Sequence, residues 1–100
     1  VDVLVLPTLT GKPTPYRLDE GRKDLSDFDA NLAATRLTIM SNVTGLPAGT
    51  APIGMYDGFP IGLQIIADAW DEASVFAVQA HLERMGIARI DTCPEFEALV

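Results

Sequence analysis

A chain of 100 residues with a net charge of −7 has room for one small domain or for part of a larger one. Its seven basic residues are scattered among fourteen acidic ones, which argues against nucleic-acid binding, where clustered Lys and Arg must replace phosphate counterions. The single cysteine, Cys93, excludes an internal disulfide and a cysteine-based zinc site, and no apolar run reaches the roughly 18 residues a membrane span needs.

The chain opens on Val1-Asp2-Val3-Leu4-Val5-Leu6, an apolar and β-branched run ended by Pro7. Near-continuous hydrophobicity predicts a strand covered on both faces, as in a parallel or mixed α/β sheet. The start shows neither a methionine nor the charged-then-apolar order of a signal peptide, and is read as a cut inside a longer protein. Residues 8–23 carry Gly11, Pro13, Pro15 and Gly21 and are expected to form a long surface loop. Ser26 with Asp29 resembles a capping box, and Asp24 and Asp27 favour the positive end of a helix dipole. The spacing predicts a helix from Asp27 to Asn42 with a stripe of Phe28, Leu32, Thr35, Ile39 and Val43 on one side. Gly45 is the expected left-handed stop, and Pro47 prevents resumption.

Residues 48–53 read as a small-residue strand in which Pro52 marks an edge, a bulge or the strand end. Asp57-Gly58 is a turn signal within a loop expected to exceed two residues, from Met55 to Pro60. Residues 61–67 form the clearest strand, with Ile61, Leu63 and Ile65 on one face, Gln64 and Ile66 on the other, and Gly62 implying close approach by a neighbour. Asp71 is the expected cap of a second helix, Glu72 to Met85, which buries Val75, Val78, Leu82 and Met85 and stops at Gly86. The tail from Ile87 to Val100 is too mixed to assign. No repeat or second domain is evident, so residues 1–100 are read as a single partial domain.

Little in the chain can perform chemistry unaided. His81, the only histidine, lies beside the apolar stripe of the second helix and reads as a packing or surface residue, and Cys93 has no basic neighbour to activate it. Asp19, Glu20, Asp24, Asp27 and Asp29 do not follow the ligand order of a calcium loop, and capping accounts for several of them. The glycines and prolines from Gly45 to Gly54 lack dinucleotide or phosphate-loop spacing. No metal or cofactor is expected.

Five pieces in order carry a family resemblance: Asp2-Val-Leu-Val-Leu-Pro-Thr8, Asn42-x-x-Gly-Leu-Pro-Ala48, Pro52-x-Gly54, Gly58-Phe-Pro-Ile-Gly-Leu-Gln-Ile-Ile66, and Asp71-Glu72. Together they resemble the C-terminal segment of amidase signature enzymes. The resemblance implies an α/β fold in which this chain is the C-terminal part of a mixed sheet, with about three strands and two main helices. It implies hydrolysis or transfer of amides by a serine, a second serine in a cis peptide, and a lysine. Those residues belong upstream of the matched segment; this chain has only Lys12 and Lys23, both in the loop, and no Gly-Ser-Ser run. Without nucleophile, base and oxyanion donors, the isolated chain is expected to be inactive.

The resemblance also implies that the helix before the Asn-x-x-Gly-x-Pro element passes the acyl side of the substrate pocket, with lining residues about seven and three positions before the Asn. Here these are Thr35 and Ile39, with Leu32 one turn earlier. The glutaminase subunit of tRNA-dependent amidotransferases resembles the chain as well, but places an aspartate where Thr35 stands. Leu32, Thr35 and Ile39 therefore suggest a neutral or apolar acyl group and a cytoplasmic general amidase acting on a small carboxamide. The competing reading of the stripe is plain core. A different class of function is also open: 48% hydrophobic residues and a mean hydropathy of +0.21 suggest a noncatalytic α/β module with uncovered apolar faces, prone to self-association.

Overall fold

Asp57 and Gly58 have φ of 51° and 80°. Two successive positive φ values make a two-residue turn whose twist matches that of the flanking strands. In the computed structural model, which describes residues 1–13 and 28–89, that turn joins the two longest strands. The described elements are β1 (Val3–Pro7), α1 (Phe28–Thr35), α2 (Ile39–Thr44), β2 (Ala48–Tyr56), β3 (Phe59–Ala67) and α3 (Glu72–Arg84). The strands form one sheet in the order β1-β3-β2, antiparallel throughout. The α/β architecture expected of the chain is thus present.

β3 is central because its residues pair on both sides: Ile65 faces Val5 of β1 and Gly49 of β2, and Gln64 faces Leu6 and Thr50. Directly paired residues share a face, so Val3, Val5, Leu63, Ile65, Ala67, Gly49 and Ala51 lie on one side of the sheet. α3 covers that side. Its Val75 joins Ala51, the fully buried Ile65 and Ala67 in the core, with Val78 and Leu82 packed against them. A Cβ on Gly49 would lie 2.7 Å from Val75 Cγ1 and 2.8 Å from Gln79 Nε2, so this glycine sets how closely the helix approaches β2. Gln79 Nε2 donates to Thr50 O at 2.9 Å and ties the helix to the edge strand.

The ends of α3 follow the sequence. Asp71 Oδ1 accepts from Ser74 N at 3.2 Å, and Oδ2 accepts from Ser74 Oγ at 2.6 Å. At the other end Gly86 has φ +72°, with Gly86 N donating to Glu83 O and Ile87 N to Leu82 O, the paired bonds of a Schellman stop. Gly45 likewise has φ +71° and donates to Ser41 O. Gly62 is crowded as expected, and the register shift between Pro52 and Gly54 places Pro52 at a bulge in an edge strand.

Several expectations are corrected. The helix expected from Asp27 to Asn42 is two short helices separated by a turn at residues 36–38, where Thr38 N donates to Thr35 O across three residues. Hydroxyls compete for the backbone through this stretch: Thr35 Oγ1 donates to Asn31 O, Thr38 Oγ1 to Thr35 O, and Ser41 Oγ to Thr38 O. The loop expected between Met55 and Pro60 is strand up to Tyr56 and again from Phe59, since the Asp57-Gly58 pair suffices to reverse the chain. β1 is an antiparallel edge strand with Leu4 and Val5 half exposed, so its two apolar faces are not both covered among the described residues. Met85 is 59% exposed, because it caps α3 beyond the last turn that touches the sheet. The expected capping box at Ser26, the remainder of the 8–23 loop and the Cys93 tail lie outside the described residues.

Candidate functional site

Leu32 and Thr35 belong to α1 and Ile39 opens α2, so the three residues expected to line an acyl pocket flank the turn at residues 36–38. Their face is open. Leu32 is 48% and Ile39 47% exposed, and Phe28, Met40 and Val43 on the same two helices are exposed as well. The stripe is therefore not core within the described part of the molecule. Thr35 Oγ1 donates its proton to Asn31 O at 2.8 Å, which leaves only acceptor capacity on the hydroxyl oxygen and no charge. Side-chain hydrogen bonds fasten the two helices to the rest. Thr10 Oγ1 donates to Ala33 O at 2.8 Å, and Gln64 Nε2, from the centre of β3, donates to Leu37 O at 2.8 Å.

A concavity of about 600 Å³ lies between the segment after β1 and the β2–β3 hairpin. Thr8, Leu9, Thr50, Pro52, Tyr56 and Phe59 are among its walls, and Gly62 is in its lining. Thr8 and Thr50 hydroxyls meet at 3.3 Å across Gly62, and Lys12 pairs with Asp57 at the hairpin turn with its Nζ 6.0 Å from the Tyr56 ring centroid. Leu32, Thr35 and Ile39 do not line this concavity. Sequence reasoning did not single it out, because its walls come from segments with no shared pattern. The glycine in β3, Gly62, is the one signal for it in the sequence.

Ser74, Ser41 and Lys12 are committed to structure. Ser74 caps α3 through Asp71, Ser41 bonds Thr38 O, and Lys12 is held by Asp57. His81 is exposed on α3. Among the described residues no group of His, Cys, Asp or Glu could hold a metal ion, and no helix is long and apolar enough to cross a membrane. Amide cleavage needs a nucleophile, a base and oxyanion donors at one point, and the described residues bring no such set together.

Comparison with known proteins places this geometry. The family model described as Amidase matches residues 1–76. The chain belongs to the Amidase family. The match of this amidase segment spans β1 through the first turn of α3, which is the sheet and the broken helix together. It is 48% identical over 83 residues to the A subunit of the glutamyl-tRNA(Gln) amidotransferase of Lactobacillus acidophilus, covering 83% of this chain and 16% of that protein. The protein of the same name from Lactobacillus gasseri is 50% identical with the same coverage, and that from Latilactobacillus sakei is 58% identical over 76 residues, covering 75% of this chain and 14% of the relative. The chain thus spans about one-sixth of the length of these relatives or less. No solved structure matches it.

Proposed function

We propose that this chain is the C-terminal part, a single partial domain, of an enzyme that cleaves the C–N bond of a small carboxamide with a neutral acyl group. The family match over residues 1–76 is the observation that carries the amidase reading. A serine, a cis-peptide serine and a lysine outside this chain perform the reaction, so the chain alone is inactive. Leu32, Thr35 and Ile39 form the acyl-side wall. Their exposure supports this, since an apolar face left open at about half of its maximum area is available to substrate or to other parts of the enzyme. Thr35 brings no charge to hold an amino group, which favours an uncharged acyl chain. The enzyme is cytoplasmic, and the chain on its own self-associates through the edge of β1 and the open stripe.

The test is an assay of the full-length protein on a panel of simple amides, with each serine of the upstream Gly/Ser-rich run replaced in turn. Activity should fall by several orders of magnitude with either replacement. Activity that survives loss of both serines would sink the mechanism.

The names of the relatives favour a second reading, in which the parent is the glutaminase part of a tRNA-dependent amidotransferase. It requires glutamine-dependent ammonia release that exceeds release from simple neutral amides. The first reading requires the reverse order.

A further inference from the structure

Gln64 is the one polar side chain buried among the described residues, at 3% exposure in the middle strand of the sheet. An amide in that place costs stability unless its hydrogen bonds are made. Its Nε2 donates to Leu37 O, within the turn that separates α1 from α2. Among the described residues, core packing adds little to hold the two helices there. α2 buries no residue, and Leu32 and Phe28 of α1 are exposed. Within the described residues their placement is therefore set by hydrogen bonds more than by core packing, and the bond from the buried Gln64 amide is partly shielded from water. A further tether, from Thr10 to Ala33 O, is exposed to water and correspondingly weaker.

We infer that Gln64 is a positioning residue: by holding Leu37 O it fixes the helix break against the sheet, and with it the relative placement of Leu32 and Thr35 on one side and Ile39 on the other. This rests on the reading of those three residues as the acyl-side wall. An apolar side chain of the same length would leave the Leu37 carbonyl without its donor and let the two helices shift relative to each other. Substrates whose acyl group touches the wall would then lose binding, while the reacting centre, supplied from elsewhere in the enzyme, would keep its rate.

The experiment uses the full-length enzyme and the variant Gln64→Met. Amide exchange across residues 36–44 should accelerate on the order of tenfold, with the β3 amides little changed. KM for the preferred acyl group should rise several-fold with kcat nearly constant, so that selectivity among acyl groups falls. Unchanged exchange at 36–44 overturns the proposal, as does faster exchange with intact selectivity in an enzyme whose selectivity does respond to Thr35→Asp. If selectivity responds to neither substitution while exchange accelerates, the acyl-wall reading fails and the positioning role of Gln64 stands. The wild-type enzyme offers a readout that does not depend on the variant folding. The side-chain amide protons of Gln64 should exchange at least tenfold more slowly than those of an exposed glutamine. Exchange at the exposed rate overturns the proposal.

Discussion

Replacing Gly62 by alanine puts a methyl group into one of the two crowded glycine positions in the sheet, the other being Gly49. The new Cβ would lie 2.8 Å from Thr8 Oγ1, 2.9 Å from Thr50 Cγ2 and 3.2 Å from Thr8 Cβ. Carbon contacts are comfortable at about 3.5–4.0 Å, so neighbours on both flanks of β3 must yield by roughly half an ångström or more. Neither threonine turns away freely, because their hydroxyls meet at 3.3 Å across the glycine. Thr8 N also donates to Gly62 O at 2.9 Å, which extends the β1–β3 pairing to this residue. Overpacking of this kind costs about 1–3 kcal/mol. Against it stands a gain of roughly 0.5–1 kcal/mol from removing a glycine from a strand interior. The net loss centres on about 1 kcal/mol, within a span of about 0–2.5 kcal/mol, and the central value is a rise of about five- to tenfold in local opening. Hydrogen exchange of the β3 amides in the full-length protein would measure it. Removing Thr8 Oγ1 and Thr50 Cγ2 with Thr8→Ala and Thr50→Ala should recover most of the loss, though not all, since Thr8 Cβ remains close. Wild-type exchange in Gly62→Ala, or a loss that is the same in the doubly substituted background, would refute the crowding argument.

Three further outcomes are expected. Val75→Ala removes the α3 side chain that meets Ala51, Ile65 and Ala67, and should cost about 2–3 kcal/mol from lost burial and the cavity left behind, visible as lower stability of the α3 amides to exchange. Asp71→Ala takes away the carboxylate that binds both Ser74 N and Ser74 Oγ and should cost about 1 kcal/mol, confined to the first turn of α3. Lys12→Ala breaks a pair whose side chains are 49% and 63% exposed, and thermal melting should register at most about 1 kcal/mol.

What could be read from the sequence was whatever rests on a single residue's backbone chemistry. Gly45 and Gly86 end helices in the left-handed region, Asp71 caps, and Gly62 marks a close approach, each for a reason that neighbours along the chain already contain. The helix break was not read, because Phe28, Leu32, Thr35, Ile39 and Val43 keep helical spacing across it. The period hides a competition between threonine hydroxyls and the backbone, and the anchoring of Leu37 O by a strand 27 residues away. The sequence suggests too loose a hairpin, with Met55 to Pro60 as loop, whereas the two positive-φ residues Asp57 and Gly58 suffice to reverse the chain and leave Met55, Tyr56, Phe59 and Pro60 in the strands. At the candidate site, the positions of Leu32, Thr35 and Ile39 came from resemblance and helical spacing, and the structure adds that their face is open and interrupted by a turn. The role of Gln64 needed the fold, since only pairing in three dimensions reveals that its amide is buried and where it is spent.

The proposed uncharged acyl wall depends most on Thr35. In the full-length enzyme, the ratio of kcat/KM for an amino-bearing acyl amide to that for its uncharged isostere should rise roughly ten- to hundredfold on Thr35→Asp, the gain expected of a charge-assisted hydrogen bond. A ratio unchanged by the substitution, in an enzyme that stays folded and active, would remove Thr35 from the pocket and contradict the assignment of this face to substrate.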